Sequence, residues 1–269
     1  QNTTPNKPHP QHHQHDPQET KNQNKTPNLR NKAAERKVDN GCGWGGLLIH
    51  AARNYGVEAV GVTLSGEQAD SAKQAIEDAG LADRIQIELT DYREFHQPGR
   101  FDKASSVGMS EHIGIRKLPT FLGKIYECLK PGGAYLHHSI TLRPGDPWPV
   151  WVDFCLKYVF PNGQLQSIVQ TVDSAAKVGF EVRDVESLRE HYALTLQHWV
   201  RRLDANREAI LNWTDEVGFR IFQIYLCGAI SAFRSGECNL HQFLLVRPDH
   251  SRPEQYLAGL PLTRSDWYT

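Results

Sequence analysis

A glycine-rich turn, predicted to join a buried strand to a helix, limits the folds open to this chain. The turn reads DNGCGWGG over residues 39–46, with a glycine at every second position. Glycines let the backbone turn sharply and approach a ligand closely before a helix begins. Cofactors bound through their phosphates usually use the G-x-G-x-x-G spacing instead. The G-x-G-x-G spacing, with Asp39 two positions before the first glycine, favours a cofactor with an ammonium group that Asp39 would hold.

Strands and helices alternate after this turn. The predicted helices lie at 46–55, 65–80 and 117–130. The predicted strands lie at 57–62, 84–89, 102–107, 134–140, 180–185 and 240–246. Ser65 and Gln68 have the spacing of a helix capping box. Such alternation with short loops indicates an α/β fold in which helices cover both faces of a parallel sheet. We expect helical lid insertions where the alternation breaks, at about 141–178 and 187–235.

The two ends of the chain differ in composition from the middle. Residues 1–37 consist almost entirely of Gln, Asn, His, Pro, Lys and Thr, and residues 248–269 contain three prolines. A segment that buries little apolar surface cannot offset the entropy lost on ordering. We therefore expect a disordered polar tail over 1–37, a folded domain over 38–247 and a C-terminal surface tail over 248–269.

Charge and cysteine content exclude several classes of protein. The chain has 30 Lys and Arg against 31 Asp and Glu, so its formal net charge of −1 gives no overall attraction to nucleic acid. We find no signal-peptide core and no apolar run of the roughly 18–20 residues that cross a bilayer. The five cysteines form no C-x-x-C pair, so neither a disulfide scaffold nor a metal site is expected. These features predict a cytoplasmic protein.

Further cofactor contacts are predicted after the second and third strands. Dinucleotide enzymes place an acid at the end of the second strand, where this chain has Thr63 and Leu64. Thr63 and Gln68 still have side chains that bind hydroxyl groups. Helix capping accounts for Ser65 but leaves Gln68 unexplained. Tyr92 follows the third strand, where a ring would stack on an adenine; an ordinary surface tyrosine is the alternative.

Several motifs in order along the chain resemble one protein family. The stretches that carry the resemblance are DNGCGWGG, GVTLSGEQ, FDKASSVGMSEHIG, LKPGGAYLHHSI, HYALTL and CGAISAFRSGECNLHQFLL. They are similar to the cyclopropane-fatty-acyl-phospholipid synthases and the mycolic acid cyclopropane synthases, over about residues 38–247. The resemblance implies the seven-stranded Rossmann-like sheet of S-adenosylmethionine-dependent methyltransferases. It also implies methyl (methylene) transfer to the cis double bond of an unsaturated phospholipid acyl chain, giving a cyclopropane fatty acid.

The resemblance further implies the residues of the active site. Glu111 resembles a glutamate that hydrogen-bonds a bound bicarbonate, His138 resembles its histidine partner, and Tyr192 resembles the tyrosine that completes the cage. Ile140 would contribute backbone. Bicarbonate would act as the base, because methyl transfer to an alkene creates a carbocation that must lose a proton. The positions that match cofactor contacts of the family are Asp39, Gly41, Gly43, Thr63, Leu64, Gln68 and Tyr92.

The chain departs from the family pattern before the glycine turn. The family's N-terminal helical segment is not recognisable there, and the first strand reads AAERKV over 33–38. Charged side chains are costly in a central parallel strand, which is normally a continuous apolar run. We therefore expect residues 1–37 to be a foreign or truncated junction.

Two other functions stay open on the sequence alone. One is a small-molecule N-methyltransferase, and the other is a truncated, inactive family member that binds lipid or cofactor. For the lipid enzyme, the expected partners are the acyl chains of membrane phospholipids, reached by peripheral contact with the inner face of the membrane. No nucleic acid is expected as a partner, and a homodimer is left open.

Overall fold

The computed structural model describes residues 33–143 and 150–251, and a mixed sheet forms the centre of the domain. Its strands are β1 (Arg36–Asn40), β2 (Glu58–Thr63), β3 (Ile85–Leu89), β4 (Phe101–Val107), β5 (Leu129–Leu142), β6 (Gln166–Ser167), β7 (Glu181–Ser187) and β8 (Cys238–Val246). Seven strands follow the order β3-β2-β1-β4-β5-β8-β7, and β6 pairs with the end of β5. Strands β1 to β5 pair in parallel, whereas β8 runs antiparallel between β5 and β7. The predicted α/β sheet is confirmed.

Eight helices lie in the described part of the chain. They are α1 (Gly46–Tyr55), α2 (Gly66–Asp78), α3 (Leu118–Cys128), α4 (Val150–Tyr158), α5 (Ile168–Val178), α6 (Arg189–Ala205), α7 (Arg207–Ile210) and α8 (Glu216–Ser235). The predicted start of α2 is confirmed, because the Ser65 side chain accepts a hydrogen bond of 3.2 Å from the Gln68 backbone N–H. The helix ends one residue before Ala79, which is followed by Gly80 in a left-handed conformation.

Three apolar clusters attach the helices to the sheet. One face of the sheet packs against α3 and α5, with Phe121 and Ala175 in the same cluster as Tyr135 of β5. Helices α1 and α2 form a second cluster with β2 and β3. Helices α6 and α8 form a third cluster with Leu240 of β8. Helices therefore cover both faces, as the alternation predicts, and α6 and α8 lie over the β5–β8 part of the sheet.

The two expected insertions have different roles in the structure. The range 187–235 forms α6, α7 and α8, which pack on one another beside the sheet. In the range 141–178, however, β5 continues to Leu142, and α5 packs against α3 as part of the sheet's covering layer. The third cluster takes in Leu142, Trp151 of α4 and, beyond that helix, Leu165. The lid is therefore smaller than the broken alternation suggests.

Strand β1 forms despite its charged residues. It begins at Arg36, two residues inside the range expected to be tail. The Arg36 guanidinium lies 3.2 Å from the Glu58 carboxylate at the exposed end of β2. Lys37 is only 1% exposed, and burial lowers the pKa of its amine despite the nearby Asp39 carboxylate. Residues 1–32 of the expected N-terminal tail and 252–269 of the C-terminal tail lie outside the described residues.

Helix α8 corrects one expectation drawn from the sequence. Over the described ranges, its 20 residues make it the one helix long and apolar enough to cross a membrane, by length and composition alone. Polar residues interrupt the apolar positions of α8, so the helix contains no uninterrupted apolar run of that length. In the structure it packs into the domain through its buried residues, which are Phe219, Leu226, Ala229, Ala232 and Phe233.

Candidate active site

The glycine turn lies at the carboxyl end of β1, where the strand order reverses between β1 and β4. Gly41 and Gly43 have φ values of 82° and 55°, which side-chain-bearing residues rarely adopt. A Cβ on Gly41 would lie 3.0 Å from the Met109 sulfur, whereas a Cβ on Gly43 would meet nothing within 4 Å. The Gly41 N–H donates to the carbonyl of Val62 at 2.9 Å and thereby holds the turn against β2. The turn therefore borders open space at the edge where parallel sheets bind ligands.

Asp39 lies directly beneath this turn. Its side chain is buried, and its Oδ1 accepts a hydrogen bond of 2.5 Å from the Ser105 hydroxyl of β4. Burial raises the pKa of Asp39, while the Lys37 amine and the Ser105 hydroxyl act in the opposite direction. A buried carboxyl group with a raised pKa gains from a cationic partner, which is the role expected of this position.

The residues after β2 form a small polar cluster. The Thr63 hydroxyl donates to the Gln68 side-chain oxygen at 2.9 Å, and the Ser65 N–H donates to the Thr63 hydroxyl at 3.3 Å. The oxygen of the Gln68 amide is thus fixed at the end of β2, and its N–H₂ group is left to donate hydrogen bonds. Leu64 between them is exposed. This arrangement gives Gln68 a role that helix capping left unexplained.

Tyr92 does not lie on the surface. It is 7% exposed and belongs to the main core cluster, where its ring packs edge-on against Phe121 with centroids 5.2 Å apart. The alternative of an ordinary surface tyrosine is therefore wrong. Its predicted stacking on an adenine stays a prediction, with the ring fixed by core packing.

Glu111 follows β4 in a short 3₁₀ turn that spans Ser110–His112. Its Oε1 accepts a hydrogen bond of 2.8 Å from the Ile140 backbone N–H of β5, and its Oε2 accepts one of 3.2 Å from the Ser110 hydroxyl. Burial raises the pKa of Glu111, and these donors limit the rise. The partner of the Ile140 backbone N–H is therefore the Glu111 carboxylate, and the expected contribution of Ile140 to the site stays a prediction.

The two adjacent histidines of β5 point to opposite faces of the sheet, because side chains alternate along a strand. His137 is fully buried, and its Nδ1 lies 2.9 Å from the Tyr135 hydroxyl. His138 lies on the same face as Ile140, and its Nδ1 lies 3.1 Å from the amide nitrogen of Gln242 on β8. Burial lowers the pKa of His138 to about 4, so its imidazole is neutral at pH 7. His138, and not His137, therefore shares a face of β5 with Ile140, and its role in the site stays a prediction.

Tyr192, the fourth residue expected at the site, lies on α6. Burial, together with the Glu111 carboxylate, raises the pKa of Tyr192 to about 12, so the phenol keeps its proton at neutral pH. The ring packs edge-on against Phe233 of α8, with centroids 4.9 Å apart. The structure therefore joins Glu111 to Ile140 by a hydrogen bond and places His138 two residues away on the same face of β5. Tyr192 lies near enough for the Glu111 charge to contribute to its raised pKa.

Sequence reasoning missed two residues beside this group. Burial, with a smaller contribution from the nearby Tyr192, raises the pKa of Tyr225 on α8, and the Tyr225 ring lies 5.4 Å from that of Phe160. Gln242 was part of the family-like stretch but had no separate signal.

Of the aromatic residues in the 141–178 range, Trp148 lies outside the described residues. Over 33–143 and 150–251, no group of three or more His, Cys, Asp or Glu side chains is placed to hold a metal ion.

This strand order, with a glycine turn after its central first strand, is that of the S-adenosylmethionine-dependent methyltransferases. Comparison with known families narrows the class. A family model described as "Mycolic acid cyclopropane synthetase" matches residues 8–243. The chain belongs to this family.

Individual relatives agree with this assignment. The chain is 41% identical over 246 residues to a "Probable fatty acid methyltransferase" of Pseudomonas putida, covering 89% of this chain and 61% of the relative. It is 36% identical over 223 residues to the "Cyclopropane-fatty-acyl-phospholipid synthase" of Escherichia coli strain K12, covering 81% of this chain and 55% of the relative. The chain thus spans a little over half the length of these curated relatives.

A solved structure matches most of both chains. It is mycolic acid cyclopropane synthase CmaA1 complexed with SAH and CTAB, with a TM-score of 0.79 and 29% sequence identity. The match covers 85% of this chain and 84% of CmaA1.

Proposed function

We propose that this chain transfers a methyl (methylene) group from S-adenosylmethionine to the cis double bond of an unsaturated phospholipid acyl chain and closes a cyclopropane ring. The observation that carries the proposal is the group formed by Glu111, His138 and Tyr192. The Glu111 carboxylate accepts the N–H of Ile140 at 2.8 Å, on the strand that also presents His138. Proton removal beside an apolar chain requires such a polar group within an otherwise apolar wall.

The residues around the glycine turn fit S-adenosylmethionine. Asp39 would hold its ammonium group, because a buried carboxylate with a raised pKa gains most from a cationic partner. Gln68, fixed by its 2.9 Å bond to Thr63, would donate to ribose hydroxyls. The space above Gly43 would leave room for the ligand to approach the backbone. When bound, the sulfonium supplies the activated methyl group, which an alkene needs because it is a weak nucleophile.

The chemistry of the Glu111 group fits a small anion such as bicarbonate. Tyr192 is a protonated phenol and His138 a neutral imidazole at pH 7, so both present hydrogen-bond donors. Bicarbonate, when bound, supplies a base beside the reacting chain. The protein positions this base and leaves it basic, since none of the three side chains that would hold it carries a positive charge at neutral pH.

Aromatic rings enclose the same region. Tyr192, Tyr225 and Phe233 lie in the cluster formed by α6 and α8, and Phe160 packs edge-on against Tyr225. Ring faces favour a developing carbocation, and a wall without water prevents its capture. This chain's own contribution to the reaction is thus alignment, exclusion of water and stabilisation of positive charge.

We also propose that the protein works in the cytoplasm and contacts the inner face of the membrane peripherally. The substrate double bond lies within a bilayer, so the acyl chain must reach the site from a lipid surface. Trp213, just before α8, is 78% exposed, and Val217 and Ile224 are exposed apolar residues on α8 itself. Aromatic and aliphatic side chains of this kind favour the membrane interface.

A methyl-branched product is the second candidate, because two of the relatives are named probable fatty acid methyltransferases. Mass spectrometry of fatty acyl chains distinguishes the products. The purified protein is incubated with S-adenosylmethionine and vesicles of an unsaturated phosphatidylethanolamine. Both products gain one CH₂ unit, but only the methyl-branched chain keeps a double bond that takes up hydrogen under mild catalytic hydrogenation.

A pair of matched variants tests whether the reaction measured in this assay depends on Glu111. Glu111→Gln is expected to abolish the gain of CH₂, whereas Glu94→Gln, an exposed glutamate away from the site, leaves it unchanged. A Glu111→Gln protein with wild-type product yield would contradict the proposed role of this group. An amine substrate methylated in place of the lipid would instead support the N-methyltransferase, and binding of cofactor without any product would support an inactive member.

A further inference from the structure

A buried glutamine faces His138 from the neighbouring strand. Gln242 of β8 is directly opposite His138 of β5 in the antiparallel register. It is 3% exposed, and its amide nitrogen lies 3.1 Å from the His138 Nδ1. Paired residues on one face of a sheet keep a fixed separation, so the contact is built into the fold.

The chemistry of the contact determines where the imidazole proton lies. An amide N–H₂ group only donates hydrogen bonds, so the Nδ1 that faces it must accept. A neutral imidazole that accepts at Nδ1 carries its proton on Nε2. Because Nδ1 is engaged and the ring retains partial exposure, Nε2–H is the donor left for a ligand.

We infer that Gln242 is a positioning residue that fixes His138 in the Nε2–H tautomer, so that this histidine donates a hydrogen bond to the small anionic base of the reaction. The inference rests on the proposed function for the identity of the ligand. The state of the His138 ring itself is a property of the protein without ligand.

The groups around His138 agree with a neutral donor. His137 is its titratable neighbour on β5, Glu111 reaches the same strand through the Ile140 N–H, and Tyr192 on α6 keeps its proton at pH 7. Burial lowers the pKa of His138 to about 4. A cationic imidazolium would hold an anion more tightly but would lower its basicity. A neutral Nε2–H holds the anion and leaves it able to take a proton.

Nuclear magnetic resonance tests the tautomer directly. Long-range correlations between ring protons and nitrogens are recorded on the full chain labelled with nitrogen-15, without ligand at pH 7. The His138 signals are assigned from their loss in His138→Asn. Wild-type protein is expected to show protonated Nε2 and unprotonated Nδ1. Protonated Nδ1, or an imidazolium with both nitrogens protonated, would overturn the inference.

Two variants then separate positioning from packing. Gln242→Glu keeps the size of the side chain but replaces the donor with an acceptor, so the proton should move to Nδ1 and the pKa of His138 should rise. Gln242→Met keeps the volume without fixing either tautomer. We expect about a 10–100-fold loss of kcat for Gln242→Glu, the range found when a metal-ligating histidine loses its hydrogen-bond partner. Gln242→Met should lose less, and Gln86→Glu, an exposed change of equal charge, should lose nothing.

The same measurements test the inference and the proposed function independently of each other. A Gln242→Glu protein that stays folded with Nε2–H and wild-type kcat would overturn the inference. If Gln242→Glu fails to fold, Gln242→Met decides: a mixture of tautomers supports the inference, and an unchanged Nε2–H overturns it. A wild-type protein with Nε2–H that makes no methylated lipid supports the positioning and overturns only the function.

Discussion

Gly61 in the middle of β2 offers a sharp test of how the cofactor turn is held. Gly61 pairs with Asp39 on one side and with Ile87 on the other. A Cβ added to Gly61 would lie 2.6 Å from Leu48, 2.8 Å from Cys42 and 2.8 Å from Ile87. Three contacts shorter than 3 Å force side chains or backbone to move. One of them belongs to the turn itself, so the strain reaches the cofactor site.

The expected size of the effect follows from this overpacking. Gly61→Ala should lower the free energy of unfolding by about 1–3 kcal/mol, the usual cost of extra methylenes in a packed core. For a domain of this size, each kcal/mol corresponds to a fall of about 2–4 °C in Tm. The affinity for S-adenosylhomocysteine should fall as well, because displacement of Cys42 shifts the glycine turn.

Urea unfolding and calorimetric titration measure the two effects. The matched control is Gly123→Ala in α3, where an added Cβ meets nothing within 4 Å. That variant should be more stable by about 0.8–1 kcal/mol through helix propensity alone, with unchanged affinity. Equal stability of Gly61→Ala and wild type would refute the packing argument. A destabilised Gly61→Ala with full affinity would refute the connection between β2 and the turn.

Three further predictions address the helix cap, the active site and the core. Ser65→Ala should cost about 1 kcal/mol of unfolding free energy in urea, because the cap of α2 is lost; no change would show that the cap is dispensable. Tyr192→Phe should lower kcat by about tenfold or more, because the phenol donor is removed. Its Tm should be nearly unchanged, because the ring still packs against Phe233. A wild-type kcat would exclude a role for the Tyr192 hydroxyl in the reaction. Burial lowers the pKa of His137 from an ordinary 6.5 to about 3. As the pH drops from 6.5 towards 4, His137 is therefore protonated in the unfolded chain but not in the folded one, and the free energy of unfolding falls. In His137→Phe the free energy of unfolding should fall less steeply, by about 1.4 kcal/mol per pH unit. Urea unfolding across this pH range measures both slopes, and equal slopes for the variant and the wild type would contradict the prediction.

Most of the fold could be predicted from short stretches of the sequence. The glycine turn, the Ser65 cap and the alternation of strands and helices depend on backbone conformations and hydrogen bonds within a few residues. Such features leave a trace in the order of residues, and the structure confirms them. The expected lid over 141–178 was too large, because the helical pattern of α5 does not say which face of the sheet the helix covers.

Burial was the property that local sequence patterns predicted least well. Lys37 is nearly fully buried in a strand that the charges argued against, and Tyr92 lies in the core against Phe121. Both results depend on which helices lie above the residue. A residue's own neighbours in the chain do not supply that information.

The chain's sequence alone determined the sheet class, the position of the glycine turn and the identity of the residues that the family motifs mark. It separated His138 from His137 through the family resemblance, which the following Ser139 and Ile140 align. Only the tertiary structure decided that the Glu111 carboxylate accepts the Ile140 N–H and that Gln242 lies opposite His138. It also decided that Tyr192 lies near enough to Glu111 for that charge to raise the Tyr192 pKa. These contacts join residues from separate strands and helices. They form when strand register and helix packing bring distant segments together, and no short stretch of the chain encodes that register.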